Sequence, residues 1–342
     1  MTSGYRSRTF WQEKGLRMTL RHLLYSSTDQ RFAQTADANT RKETGMKLHI
    51  IDVESIYRRL LTITNVNERE SIYRQELLAP FEGMMRFFGG GDPLALAKMW
   101  TLYTPEDFAS ETRLSIERLV DRMAAGDAWC RSAGALEQGV AAFAPYADRV
   151  PLDAVTCALV LMDAKRANPL DRGYSGFGGI PGYVMVTYSQ ANDYTLPRVE
   201  GASVHELNHN VRFSVIPFLP MQVTVADYIV AEGLAESFAA ELYGEEVVGH
   251  FVSDFSEEEL TTARQIIGGA LEVTGFDAVR GYIFGDTLAE LMGLPKAGVP
   301  NFAGYAIGYR IVRQYLQRTG KSVAETTFLP SREIIAESGF FQ

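Results

Sequence analysis

The sequence is short of several things. It holds two cysteines in 342 residues, Cys130 and Cys157, too few for a disulfide framework and without the spacing of a zinc knuckle. Both stand among apolar residues, and the expectation is a pair of buried free thiols. No stretch approaches the ~18–20 uninterrupted apolar residues a membrane helix needs. Positive charge is scarce: 33 Lys/Arg face 42 Asp/Glu, a net charge of −9. That balance argues against nucleic acid or an anionic membrane as the main partner. There is no Gly-x-Ser-x-Gly elbow, and the glycines of "FFGGGDP" (87–93) lack the following Gly-Lys-Ser/Thr of a phosphate loop. Those glycines predict a turn between helices.

What is present is an ordinary globular composition, 46% hydrophobic and 22% charged, enough for one large domain or two smaller ones. Residues 1–45 run against the acidic trend, with eight Lys/Arg and four Asp/Glu. They read as a basic extension, disordered or produced by a start codon placed too early, in preference to a targeting signal. "MKLHIIDVESIYRRL" from Met46 reads as a natural beginning, a short strand and then a helix. Residues 46–145 show apolar spacing that is mainly helical. From 146 the pattern changes. "AVTCALVLMD" (154–163) predicts a buried strand, "GYSGFGGIPG" (173–182) a flexible glycine-rich loop, and "YVMVTYS" (183–189) a second strand. Helices then dominate to residue 342. The fold class expected is α+β, mostly helical, with a small sheet, and the localisation expected is cytoplasmic.

Histidine is also scarce, five in all, yet two stand four apart in "GASVHELNHNVRF" (201–213). Thr195 can cap a helix with Pro197 in its first turn, running to about Phe213. On it His205 and His209 share a face, so both imidazoles can reach one metal ion. Glu206 lies ~100° round the helix, placed to accept a proton from the attacking water as in H-E-x-x-H metalloproteases. A catalytic zinc keeps three protein ligands and one open position, so a third must follow.

"TVADYIVAEGLAESFAAELYG" (224–244) offers it. Thr224 and Asp227 form a capping box, which gives Asp227 a structural task, and Gly244 suits the helix end. Glu232 and Glu236 lie four apart on one face of a helix rich in Ala, Leu and Phe, no ordinary solvated charge run. Glu232 is the expected third ligand and Glu236 the acid that orients a ligand histidine. The converse assignment stands as the alternative.

H-E-x-x-H followed some twenty residues later by E-G-x-A resembles the gluzincin metallopeptidases. Together with "EGLAES" and the later "AGYAIGYRIV", it is similar to a bacterial family of predicted zinc-dependent proteases. The resemblance covers roughly residues 150–335. It implies a zinc metallopeptidase domain over 146–342, a Zn2+ cofactor, and peptides or unfolded proteins as substrates. It also implies a phenol or imidazole donor for the oxyanion, which Tyr305 or Tyr309 of "FAGYAIGYRIVRQYL" (302–316) can supply. The strand "YVMVTYS" is expected to be the sheet edge that pairs with an extended substrate. A metal-binding protein of the same fold without peptidase activity is the rival reading. His22, His49 and His250 have no partner at ligand spacing and are assigned no chemistry.

Overall fold

The computed structural model of the protein describes residues 45–342; the reading of residues 1–44 as a basic extension lies outside the described residues. The described residues open with strand β1 (Lys47–Ile50) and helix α1 (Val53–Thr62). Asp52 caps that helix, its carboxylate accepting from the Ser55 amide at 3.1 Å. Helices α2 (Arg113–Ala125) and α3 (Ala128–Phe143) follow. Three further strands come next: β2 (Ala154–Leu161), β3 (Tyr174–Ile180) and β4 (Tyr183–Tyr188). The rest is helical: α4 (Val199–Val215), α5 (Val225–Tyr243), α6 (Glu257–Gly268), α7 (Phe276–Phe284), α8 (Ala303–Thr319) and α9 (Ser331–Ser338) are its longer members. The fold is α+β and mostly helical, with one small sheet, as the patterning predicts.

The four strands run in the order β1-β2-β4-β3. β1 and β4 flank β2 in parallel, while β3 pairs antiparallel with β4. Because β1 comes from the N-terminal helical region, residues 46–145 and 146–342 share this sheet. One apolar core fills the space between the sheet and the N-terminal helices. A second lies among α4, α5, α7, α8 and α9. Helix α4 separates the two: Leu207 belongs to the first core, Val204 and Val211 to the second, and all three are fully buried.

Several expectations are corrected here. The glycine-rich segment is not a flexible loop; residues 174–180 are strand β3 and form the sheet edge. "YVMVTYS" is therefore an interior strand, β4, with neighbours on both sides. Its continuous burial from Val184 to Tyr188 is the mark of an inner strand, and periodicity alone does not separate inner from edge. Thr195 caps no helix: its hydroxyl donates to Gln190 O and accepts from Asn192 N, and a 3-10 turn (Leu196–Arg198) leads into α4. Cys157 is buried, but Cys130 is exposed. The Thr224–Asp227 capping box and the stop at Gly244 are both present. No helix of the described residues is long and apolar enough to cross a membrane.

Candidate metal centre

Helix α4 carries seven buried polar residues, and each needs partners in a dry interior. Four are used to hold the helix in place. Ser203 meets Ser132 of α3 at 2.7 Å. Asn208 donates to Thr327 Oγ1 at 2.9 Å. The fully buried Arg212 donates to Thr327 O, Leu329 O and Ser331 Oγ. Asn210 clamps the β3–β4 hairpin: its amide nitrogen donates to Gly178 O, Ile180 O and Tyr183 O, and its oxygen accepts from Gly182 N. None of these anchors was singled out in the sequence. The available signal was a run of amides and one arginine on a helix whose flanks are apolar.

The remaining three are His205, Glu206 and His209. The two Nε2 atoms stand 3.0 Å apart. Glu232 on α5 brings Oε2 to 3.4 Å from His205 Nε2 and 3.3 Å from His209 Nε2. Neither approach has hydrogen-bond geometry, and Glu232 Oε2 is a buried carboxylate oxygen with no donor among the described residues. Three donors separated by 3.0–3.4 Å match the ~3.3 Å edges of a tetrahedron with ~2.0–2.1 Å zinc bonds. The residues fit such an ion. Glu206 also places a carboxylate oxygen within 4.8 Å of both histidines, farther from them than Glu232.

Glu236, one turn beyond Glu232, lies 3.0 Å from His205 Nδ1 and accepts from the Gly249 amide at 3.2 Å. A carboxylate at Nδ1 favours a proton on that nitrogen, which in the neutral ring leaves the Nε2 lone pair toward Glu232 and His209. Phe213 stacks on the His209 ring, centroids 5.4 Å apart, and fixes that ring from behind. Electrostatics follow from burial. Desolvation works to lower the His205 pKa, but its contacts with Glu232 and Glu236 prevail and hold it well above the usual range. Burial would raise Glu232, yet attraction to His209 and His205 keeps it at about 2. Burial raises Glu206, opposed by the charges of the two histidines.

The wall opposite α4 is strand β3. A Cβ at Gly176 would fall on the Glu206 carboxylate, and one at Gly178 on the Glu206 carbonyl. These glycines let the strand backbone lie directly against the site. A cavity of about 250 Å3 opens here, lined by His205, Glu206, Glu236, Gly176 and Tyr305. Tyr305 is thus beside the site, and burial pushes its phenol well above the usual range. Tyr309, one turn on, is not: its hydroxyl donates to Glu245. Arg313 meets the same carboxylate at 3.1 Å. His250 pairs with Tyr194 and Leu170 O.

An H-E-x-x-H helix crossed by an E-G-L-A-E helix, with a sheet edge beside them, defines a protein with a buried His-His-Glu centre able to hold a metal ion. Comparison with known proteins places it further. The chain belongs to the family described as Predicted Zn-dependent protease (DUF2268), whose model matches residues 132–336. It is 35% identical over 283 residues to the uncharacterized protein YjfC of Bacillus subtilis (strain 168), a match covering 80% of this chain and 92% of that one. The uncharacterized protein YjaZ of the same organism is 25% identical over 145 residues, covering 42% of this chain and 52% of its own. No solved structure matches the chain.

Proposed function

We propose that the protein is a zinc-dependent peptidase of the gluzincin type, hydrolysing peptide bonds in peptides or unfolded proteins. The observation that carries this reading is the triangle of His205 Nε2, His209 Nε2 and Glu232 Oε2, with Glu206 between it and the edge strand. His205, His209 and Glu232 would hold the ion, and Glu236 orients His205. Zinc supplies Lewis-acid polarisation of the scissile carbonyl and makes water a nucleophile near neutral pH.

The protein's own groups do the rest. The raised pKa of Glu206 suits a carboxylate that accepts the proton of the attacking water and passes it to the leaving amine as the C–N bond breaks. Tyr305, protonated throughout the physiological range, donates a hydrogen bond to the oxyanion. The part of β3 that lines the cavity, Tyr174 to Gly176, offers backbone groups to an extended peptide, and Gly176 keeps that peptide close to Glu206.

The test combines metal content with turnover. Zinc-loaded protein is expected to bind about one ion per chain and to cleave unfolded protein. Glu206→Gln is expected to retain the ion and lose about 10²–10⁴-fold in kcat. A Glu206→Gln variant as active as the wild type would refute the mechanism. A zinc-replete protein that cleaves nothing would leave the rival reading, a metal-binding protein with a regulatory role.

A further inference from the structure

The cavity beside His205 and Glu206 has an uneven lining. One side is apolar, formed by Phe251, Phe284, Leu288 and Phe302. The turn that joins β2 to β3 contributes an amide and a carboxyl, Asn168 and Asp171. Asn168 Nδ2 donates to Asp171 Oδ1 at 3.1 Å, and among the described residues this is the only hydrogen bond that Asp171 accepts. The neighbouring Arg172 does not neutralise it; that guanidinium meets Asp254 at 2.6 Å. Burial pushes the Asp171 carboxyl up to about 7, the Asn168 bond acting the other way. A carboxyl held beside apolar rings with no cation bonded to it is costly, and the cost falls when a cation pairs with it.

We propose that this cavity is a specificity pocket for a substrate residue with an apolar stem and a cationic end, the chemistry of lysine or arginine. Phe251, Phe284, Leu288 and Phe302 contact the stem while Asp171, steadied by Asn168, pairs with the cation. The assignment rests on the peptidase reading for its location beside the scissile bond. The apolar wall favours a side chain over a free N-terminal ammonium, which brings no stem to bury. A site built to pair with a charge discriminates strongly against a neutral residue of the same length.

The experiment uses matched peptides that carry lysine or norleucine at one position, each with a free or an acetylated N-terminus. Binding is measured by titration calorimetry on zinc-loaded Glu206→Gln protein, and kcat/KM on the wild type. Lysine is expected to bind about ten- to a hundredfold more tightly than norleucine, the range of a charge-assisted hydrogen bond, with either N-terminus. Adding Asp171→Asn should bring that ratio near one. Equal binding of lysine and norleucine would overturn the proposal without requiring any variant at 171. So would a ratio unchanged by Asp171→Asn, or a preference that follows the free N-terminus. If the wild type cleaves neither peptide while the lysine preference in binding persists, the pocket stands and the peptidase reading fails.

Discussion

Gly233 and Gly308 face each other where α5 crosses α8: a Cβ on Gly233 would fall on the Gly308 carbonyl, and one on Gly308 on the carbonyl of Ile229. Glu232 directly precedes Gly233, so this contact sets how deeply the carboxylate reaches toward the two histidines. Gly308→Ala is expected to force the helices apart at a cost of about 1–3 kcal/mol. Calorimetric melting and a zinc-competition titration should show a lower Tm and a weaker ion site together. A variant with wild-type values in both would mean that the close crossing does not hold Glu232.

The metal centre predicts a pH signature. His205 is raised above its ordinary 6.5, so its contribution to stability is complete below that pH and fades as pH rises through the folded value. Glu232 is lowered from 4.5 to about 2, so its contribution is present above 4.5 and fades as pH falls toward 2. Chelator-stripped protein is therefore expected to be most stable between about pH 4.5 and 6.5. Zinc takes His205 unprotonated, so the stabilisation it adds should grow with pH. Melting curves of stripped and zinc-loaded samples across this range decide it; a stripped protein with a flat Tm contradicts it.

Tyr305 and Tyr309 separate cleanly by experiment. Tyr305→Phe is expected to lower kcat by about 10²–10³-fold with little change in KM, the cost of one oxyanion donor. Tyr309→Phe removes a hydroxyl engaged with Glu245 and should lower Tm while sparing kcat. The reverse pattern would move the oxyanion role to Tyr309.

Asn210→Ala tests the clamp between the metal helix and the sheet edge. It strips partners from Gly178 O, Ile180 O, Tyr183 O and Gly182 N, and leaving buried groups unpaired costs about 1–3 kcal/mol. Hydrogen exchange should quicken selectively across residues 174–188. Uniform exchange at wild-type rates would show that the hairpin stands without the clamp.

Much of the site was legible because its signals are local. His205 and His209 share a face by helical spacing, and so do Glu232 and Glu236; the Thr224–Asp227 box marks where their helix begins. The sheet edge was not legible. The stretch 173–182 around Tyr174–Ile180 carries five glycines in ten residues, a composition that reads as loop. Its strand character comes from β4 on one side and Glu206 on the other, contacts that only the folded chain brings. Asp171 was likewise silent: nothing in "NPLDRG" indicates that Arg172 turns to Asp254 and leaves the carboxyl to the cavity. The choice between Tyr305 and Tyr309 depended on Glu245, some sixty residues away.

Strand β3 presses bare backbone against Glu206 at Gly176 and Gly178, and that has a bearing on how such a site can diversify. A side chain there would displace Glu206 itself, so this wall has one permitted shape. The opposite wall is built differently: Phe251, Phe284 and Phe302 pack on Tyr305, and Leu288 and the turn with Asp171 complete it without supplying a member of the His-His-Glu triangle. Under the proposed peptidase reading, new substrate preferences are open on that side, while the glycine side is a fixed gauge that leaves the backbone no room to change.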